Sequence, residues 1–159
     1  MPVKGRKKMK KIYLAYGSNL NKNQMAMRCP GAKVIGTAYI EGYQLLFKGS
    51  RTGSFLTIEE QDGGRVPVGV WEVSERDELS LDFYEGYPTF YYKKPVKVTL
   101  NETGKEINAF VYIMHEERKL GIPSQFYINV CMQGYMDFGF DFEYIKKAIE
   151  ITKGGMKND

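Results

Sequence analysis

From residue 12 to residue 114 the chain is a succession of strand-length apolar runs, most of them closed by turn-forming residues, with no regular alternation of strand and helix. That pattern decides the fold class. A doubly wound parallel sheet needs a crossover of a dozen or so residues between its strands, and most connections here are too short for one. The first run, residues 12–15, reads as a buried strand. Residues 34–48 alternate imperfectly, as one long bent strand or two short ones, with Ile35, Tyr39, Tyr43, Leu45 and Phe47 as candidate inward positions. "GSRTGS" turns the chain into residues 55–60, and Asp62-Gly63 in "QDGGR" is a hairpin signal leading into residues 66–73. "TFYYKKPVKVTL" is a strand whose Pro95 belongs at an edge or bulge; "NETGKE" then turns it into residues 107–114.

Helices are fewer. Residues 21–29 can form a short one, broken by Pro30-Gly31. Ser74 fits an N-cap for a helix through "ERDELSLDFYEG", with Leu79, Leu81 and Phe83 as apolar positions and Gly86 ending it. Pro123 and Ser124 open another through Met136, and an amphipathic helix over 142–152 ends at Gly154-Gly155. The expectation is an α+β domain on a curled sheet, one domain over 11–159 behind a basic extension at 1–10.

With 159 residues, 43% of them hydrophobic and 26% charged, the chain can bury a core without disulfide staples. No run has the apolar length that spans a bilayer, and the N-terminus does not read as a secretory signal. Cys29 and Cys131 form no metal or redox pattern and are expected as free buried thiols in a reducing cytoplasm. The formal charge of +4 suggests nucleic acid, but six positive charges lie between Lys4 and Lys11, which leaves the remainder two negative. The basic balance belongs to the tail. Met9 also reads as a natural start, which would make the residues before it a leader or the mark of an alternative initiation. Neither nucleic acid nor membrane is expected as a partner; the expectation is a monomer or weak homodimer acting on a small molecule.

The loop after the first strand, Tyr16-Gly17-Ser18-Asn19, is the first candidate site. On its own it reads as a turn in which Gly17 takes a positive φ and Asn19 caps the next helix. It lacks the second glycine and the Gly-Lys-Ser/Thr ending of a phosphate loop. Ser18 as nucleophile would need a base, and the single histidine, His115 in "HEERK", reads as a solvated strand end. His-dependent triads and zinc sites are thereby set aside, and no metal or cofactor is expected. Chemistry must rest on carboxylates or tyrosines. The pointed stretch is "LDFYEGYP", where Asp82 and Glu85 lie three apart on one helix face. Glu85 sits at the helix end among Phe83, Tyr84, Tyr87, Phe90, Tyr91 and Tyr92. A carboxyl among rings is desolvated, which raises its pKa and suits it to proton transfer.

"YLAYGSNL", "LDFYEGYP" and "PSQFY" with Gly134 seven residues later occur in that order. On these the sequence resembles the gamma-glutamylcyclotransferase-like family, including its short avirulence-induced-gene-like members, from about Lys11 to the last helix. The resemblance implies a small mixed β-barrel with flanking helices and a cavity at the end of the first strand. It implies that Tyr13, Leu14, Ala15, Tyr16, Gly17, Ser18 and Asn19 hold a γ-glutamyl group, that Glu85 is the catalytic glutamate, and that Tyr127 contacts substrate. From the residues alone, Tyr127 reads equally as a helix tyrosine half-buried against the sheet. The implied activity is cyclisation of a γ-glutamyl amide to 5-oxoproline with release of an amine or amino acid. Two other readings stand beside it: a non-catalytic sensor of a γ-glutamyl metabolite, and an interaction module using the rings of "TFYYKK".

Overall fold

The computed structural model describes residues 10–50 and 52–157, so the basic extension expected over 1–10 lies, Lys10 apart, outside the described residues. Six strands, β1 Lys11–Ala15, β2 Lys33–Ser50, β3 Gly53–Val73, β4 Tyr91–Thr99, β5 Glu106–Met114 and β6 Lys119–Leu120, form one sheet in the order β4-β5-β1-β3-β2-β6. Among the described residues four helices accompany it: α1 Lys22–Arg28, α2 Glu75–Glu85, α3 Gln125–Phe138 and α4 Glu143–Met156. The sheet is mixed, since β1 runs antiparallel to β3 and parallel to β5. It curls into a half-barrel. The Tyr91 hydroxyl on β4 donates to the Leu56 carbonyl on β3 at 2.8 Å, and the Met114 amide on β5 donates to Thr57 Oγ1 at 2.9 Å, joining strands that are not neighbours in the sheet. Pro95 lies on the edge strand β4, where its missing N–H breaks no ladder on the outer side.

The long β2–β3 hairpin reverses between Ser50 and Gly53, within the stretch expected to turn, but Asp62-Gly63 makes no hairpin: β3 passes through it. The register slips there, with Tyr43 opposite Glu60 but Glu41 opposite Arg65. Such an irregularity flips the face on which alternate residues lie. Ala38 and Ile40 are buried before it, Leu45 and Phe47 after it. A second slip beside Gly36 leaves Ile35 on the surface, and Tyr39 and Tyr43 are only half-buried. The core meets at Leu14, Phe47, Ile58, Val68, Tyr135 and Ile145, all essentially inaccessible.

Helix α2 carries Glu85, and its ends are fixed by sequence. Ser74 Oγ accepts from the Asp77 amide at 3.1 Å while the Asp77 carboxylate accepts from the Ser74 amide at 3.2 Å, a reciprocal cap; Gly86 closes the other end with φ 64°. Of its predicted apolar positions Leu81 is buried, but Leu79 and Phe83 are exposed, Phe83 at 91%. Ion pairs add to the contact: Glu78 takes Lys11 and Lys93, and Asp82 takes Lys93. With so narrow an apolar stripe the cap matters. Ser74→Ala should cost about 1 kcal/mol, read as a lower urea midpoint with unchanged slope; an unmoved midpoint would contradict this account of α2. Helix α4 runs past its predicted stop at Gly154-Gly155 to Met156. Thr152 is fully buried there and accepts the Phe47 amide at 3.0 Å, a tertiary contact that overrides local breaker signals.

Candidate active site

β1 ends in the core, and the chain leaves it through Tyr16 and Gly17 into a single 3-10 turn, Ser18–Leu20. Gly17 does not take the positive φ expected of it; its φ is −129°. What the position requires is room, because a Cβ would lie 3.2 Å from Tyr127 Oη and 3.4 Å from Leu56 Cδ1. Asn19 is not the cap of α1. Asn21 is, its side chain accepting from the Gln24 amide at 3.0 Å. Asn19 is 2% exposed and turns inward: its amide nitrogen donates to Tyr13 Oη at 2.9 Å and to Glu85 Oε1 at 3.4 Å, while its oxygen accepts from the Arg28 guanidinium.

The loop closes one side of a cavity of about 200 Å³. Tyr13, Leu14, Tyr16, Gly17 and Ser18 form that side; β3 contributes Phe55 and Leu56, and α2 contributes Tyr84 and Glu85. Phe90, Tyr91, Tyr112 and Tyr127 complete the wall. Most of the hydroxyls are spent on the frame. Tyr16 donates to the Tyr112 carbonyl at 2.7 Å, and Tyr127 Oη accepts the Leu56 amide at 3.1 Å, which ties α3 to β3. Ser18 Oγ and Tyr84 Oη share a hydrogen bond of 2.9 Å. In the 3-10 turn the Leu20 and Asn21 amides donate to the Gly17 and Ser18 carbonyls at 3.0 Å each, so the Ser18 and Asn19 amides at its head have no partner within the turn.

Glu85 is the one charged residue in this wall. Burial pushes its carboxyl from 4.5 up to about 8, against the opposing pull of the Arg28 charge. Its place at the last residue of α2, beside outward-pointing carbonyls, acts in the same direction as burial. Tyr13, Tyr16, Tyr91 and Tyr127 are all driven well above the usual tyrosine range, chiefly by burial, and stay neutral wherever Glu85 titrates. The cavity therefore offers one exchangeable proton near neutral pH, in a neutral aromatic chamber.

Of the residues expected from sequence, Tyr13, Leu14, Tyr16, Gly17, Ser18, Glu85 and Tyr127 meet around this space. Ala15 and Asn19 do not line it: Ala15 is buried and pairs with Gly69, and Asn19 stands behind Glu85. Asp82 does not share the cavity either. It accepts from the Tyr112 hydroxyl at 2.6 Å and pairs with Lys93 at 2.8 Å. His115 is half-buried at the end of β5, its Nε2 2.7 Å from the Pro88 carbonyl oxygen. Both cysteines are free and buried, with thiols pushed up to about 12. Among the described residues no group of three His, Cys, Asp or Glu side chains could hold a metal ion, and no helix is long and apolar enough to cross a membrane. Phe55, Leu56, Tyr112 and Arg28 escaped the sequence. "INAFVYIM" is apolar throughout and hides which face Tyr112 takes, and Arg28 in "QMAMRC" reads as an ordinary basic residue at a helix end.

Residues 13–128 match the family described as gamma-glutamyl cyclotransferase, AIG2-like. The Bos taurus gamma-glutamylcyclotransferase is 33% identical over 154 residues, spanning 92% of this chain and 81% of the relative. The Homo sapiens gamma-glutamylcyclotransferase is 32% identical over 148 residues, 88% and 78% of the two chains. A solved structure of a gamma-glutamyl cyclotransferase superposes with a TM-score of 0.78 at 30% identity, covering 88% of this chain and 86% of that one.

Proposed function

The chain belongs to the AIG2-like gamma-glutamyl cyclotransferase family, and on that premise we propose that it cyclises a γ-glutamyl amide to 5-oxoproline with release of an amine or amino acid. The observation that carries the reading is Glu85, a carboxyl poised at about 8 in a neutral cavity closed by the Tyr16–Asn19 loop. The substrate brings its own nucleophile. Its α-amine nitrogen attacks the γ-carbonyl carbon, the five-membered lactam closes, and the bond from that carbon to the departing nitrogen breaks. The acyl group thus moves from one nitrogen to another within the molecule. The lactam nitrogen keeps one of the three protons of the α-ammonium; a second passes to solvent or ends on the released amine, and the third must travel to the leaving nitrogen.

Glu85 carries that proton. An α-amino group ionises near about 8, so transfer between it and a carboxyl of similar pKa is close to thermoneutral in both directions. In this reading the amides of the Gly17–Asn19 stretch stabilise the oxygen on which charge develops. Folding the flexible γ-glutamyl chain into a reactive pose against the aromatic walls supplies much of the rest, up to roughly 7–11 kcal/mol for well-oriented groups. The step draws on no metal, cofactor or protein nucleophile. The free, buried thiols support a cytoplasmic location.

The test is 5-oxoproline release from a panel of γ-glutamyl amines and dipeptides. Its pH dependence is specific. Below pH 8 both the carboxyl and the α-amine hold a proton, one too many for the reaction, so kcat/KM should rise about tenfold per pH unit and turn over near 8. A flat profile from pH 5 to 8 would remove Glu85 as the proton carrier.

A further inference from the structure

Arg28 lies outside the cavity wall, at the last residue of α1, yet its contacts lead inward. It is held from two directions: Nη2 donates to Gln24 Oε1 at 3.0 Å, and the guanidinium carbon stands 3.4 Å from the centre of the Tyr84 ring. The remaining fork donates to Asn19 Oδ1. Asn19 in turn meets Glu85. We propose that Arg28 is a positioning residue for the catalytic step, fixing the Asn19 amide so that a donor faces Glu85 and placing a positive charge behind it. The proposal rests on the reading of Glu85 as the proton carrier.

The logic is in the donor inventory. A guanidinium has five N–H groups and no acceptor, so it can meet Asn19 only through the amide oxygen. That leaves the NH₂ group to face Tyr13 Oη and Glu85 Oε1. Without Arg28 nothing prevents the buried amide from turning over, and its oxygen would then face Glu85. An oxygen there favours the protonated carboxyl; an N–H favours the carboxylate. The Arg28 charge acts in the same sense as the N–H.

The other groups around Glu85 do not compete. Tyr13 from β1, Tyr16 just beyond it, Tyr91 from β4 and Tyr112 from β5 are all shifted upward and remain neutral. Tyr84 on its own helix bonds Ser18, and Tyr127 of α3 bonds Leu56. Asp82, the nearest carboxylate on α2, is neutralised by Lys93. Arg28 is thus the charge that keeps a buried carboxyl within reach of neutral pH. Removing it should send the Glu85 titration upward by about one pH unit.

The decisive measurement is the ¹³C NMR titration of the Glu85 carboxyl in the ligand-free protein, its signal identified by its loss in Glu85→Gln. Arg28→Gln should raise the midpoint by about one pH unit, and Arg28→Lys, which keeps charge but loses the planar fork, by less. In an Asn19→Ala background the same Arg28→Gln change should move the midpoint less than it does in the wild type. In turnover the acid limb of kcat should follow the NMR midpoint, with KM little altered. Unmoved midpoints in the folded Arg28 variants, or equal movement with and without the Asn19 side chain, would overturn the proposal. Because the titration is read without substrate, it decides the role of Arg28 even if no γ-glutamyl compound is turned over; Arg28→Lys serves if Arg28→Gln does not fold.

Discussion

Glu85→Gln protein should release 5-oxoproline at least about 10³-fold more slowly than the wild type and yet withstand more urea at pH 9. General acid–base catalysis contributes typically 10²–10⁴-fold, and the cavity wall holds no second carboxyl group and no histidine to take over the proton. The stability gain follows from the same carboxyl. In the unfolded chain it ionises near 4.5 and in the folded protein near 8. Between those values the unfolded state releases a proton that the folded state keeps. Native stability therefore falls as pH rises from 4.5 towards 8 and carries the full penalty above. At about 1.36 kcal/mol per pH unit the penalty is at most roughly 5 kcal/mol. A glutamine has the shape of the protonated acid and never incurs it. The variant and the wild type should have nearly equal urea midpoints at pH 5 and diverge towards pH 9. A gap of the same size at both pH values would mean that Glu85 is not held as an acid by burial, and full turnover in the variant would remove it from the mechanism.

The second large effect is expected at Gly134, in the middle of α3. A Cβ there would stand 2.7 Å from the Asn21 amide nitrogen and 2.7 Å from Leu20 carbon atoms, so the helix rests directly on the backbone that follows the 3-10 turn. Backbone cannot swing aside as a side chain can. Gly134→Val should destabilise by about 2–3 kcal/mol, lowering Tm by roughly 5–10 °C in a domain of this size. Backing α3 off also moves Tyr127, which stands against Gly17 and bonds the Leu56 amide. The activity that remains at low temperature should show a raised KM. A variant with wild-type Tm would mean that α3 does not press on the loop.

How much of this was legible in the sequence depends on how local the signal was. The ends of α2 were, because Ser74, Asp77 and Gly86 act within one turn of themselves. So was the edge position of Pro95. Asp62-Gly63 misled because a strong turn dipeptide was absorbed into a bulge once β2 and β3 paired along their whole length. The inward faces of β2 changed over for the same reason. At the site, the ordered motifs brought Tyr13, Gly17, Glu85 and Tyr127 to one cavity. Asn19 and Arg28 were misread, one as a cap and the other passed over, because their roles exist only through partners 66 and 9 residues away in the chain. Leu79 and Phe83 count as apolar positions of α2 in the sequence but lie exposed, and Lys11 and Lys93 pairing with Glu78 help to anchor the helix instead.

Those long reaches bear on when in its own synthesis the protein acquires its chemistry. Ser18 finds Tyr84 66 positions later, Leu56 finds Tyr127 after 71, and Tyr16 finds the Tyr112 carbonyl after 96. No fragment ending before α3 contains the Tyr127 wall, however well its own strands pair. The chamber around Glu85 is thus a property of the finished chain: a ribosome-bound intermediate can display the loop and the glutamate while the space between them still lacks a side.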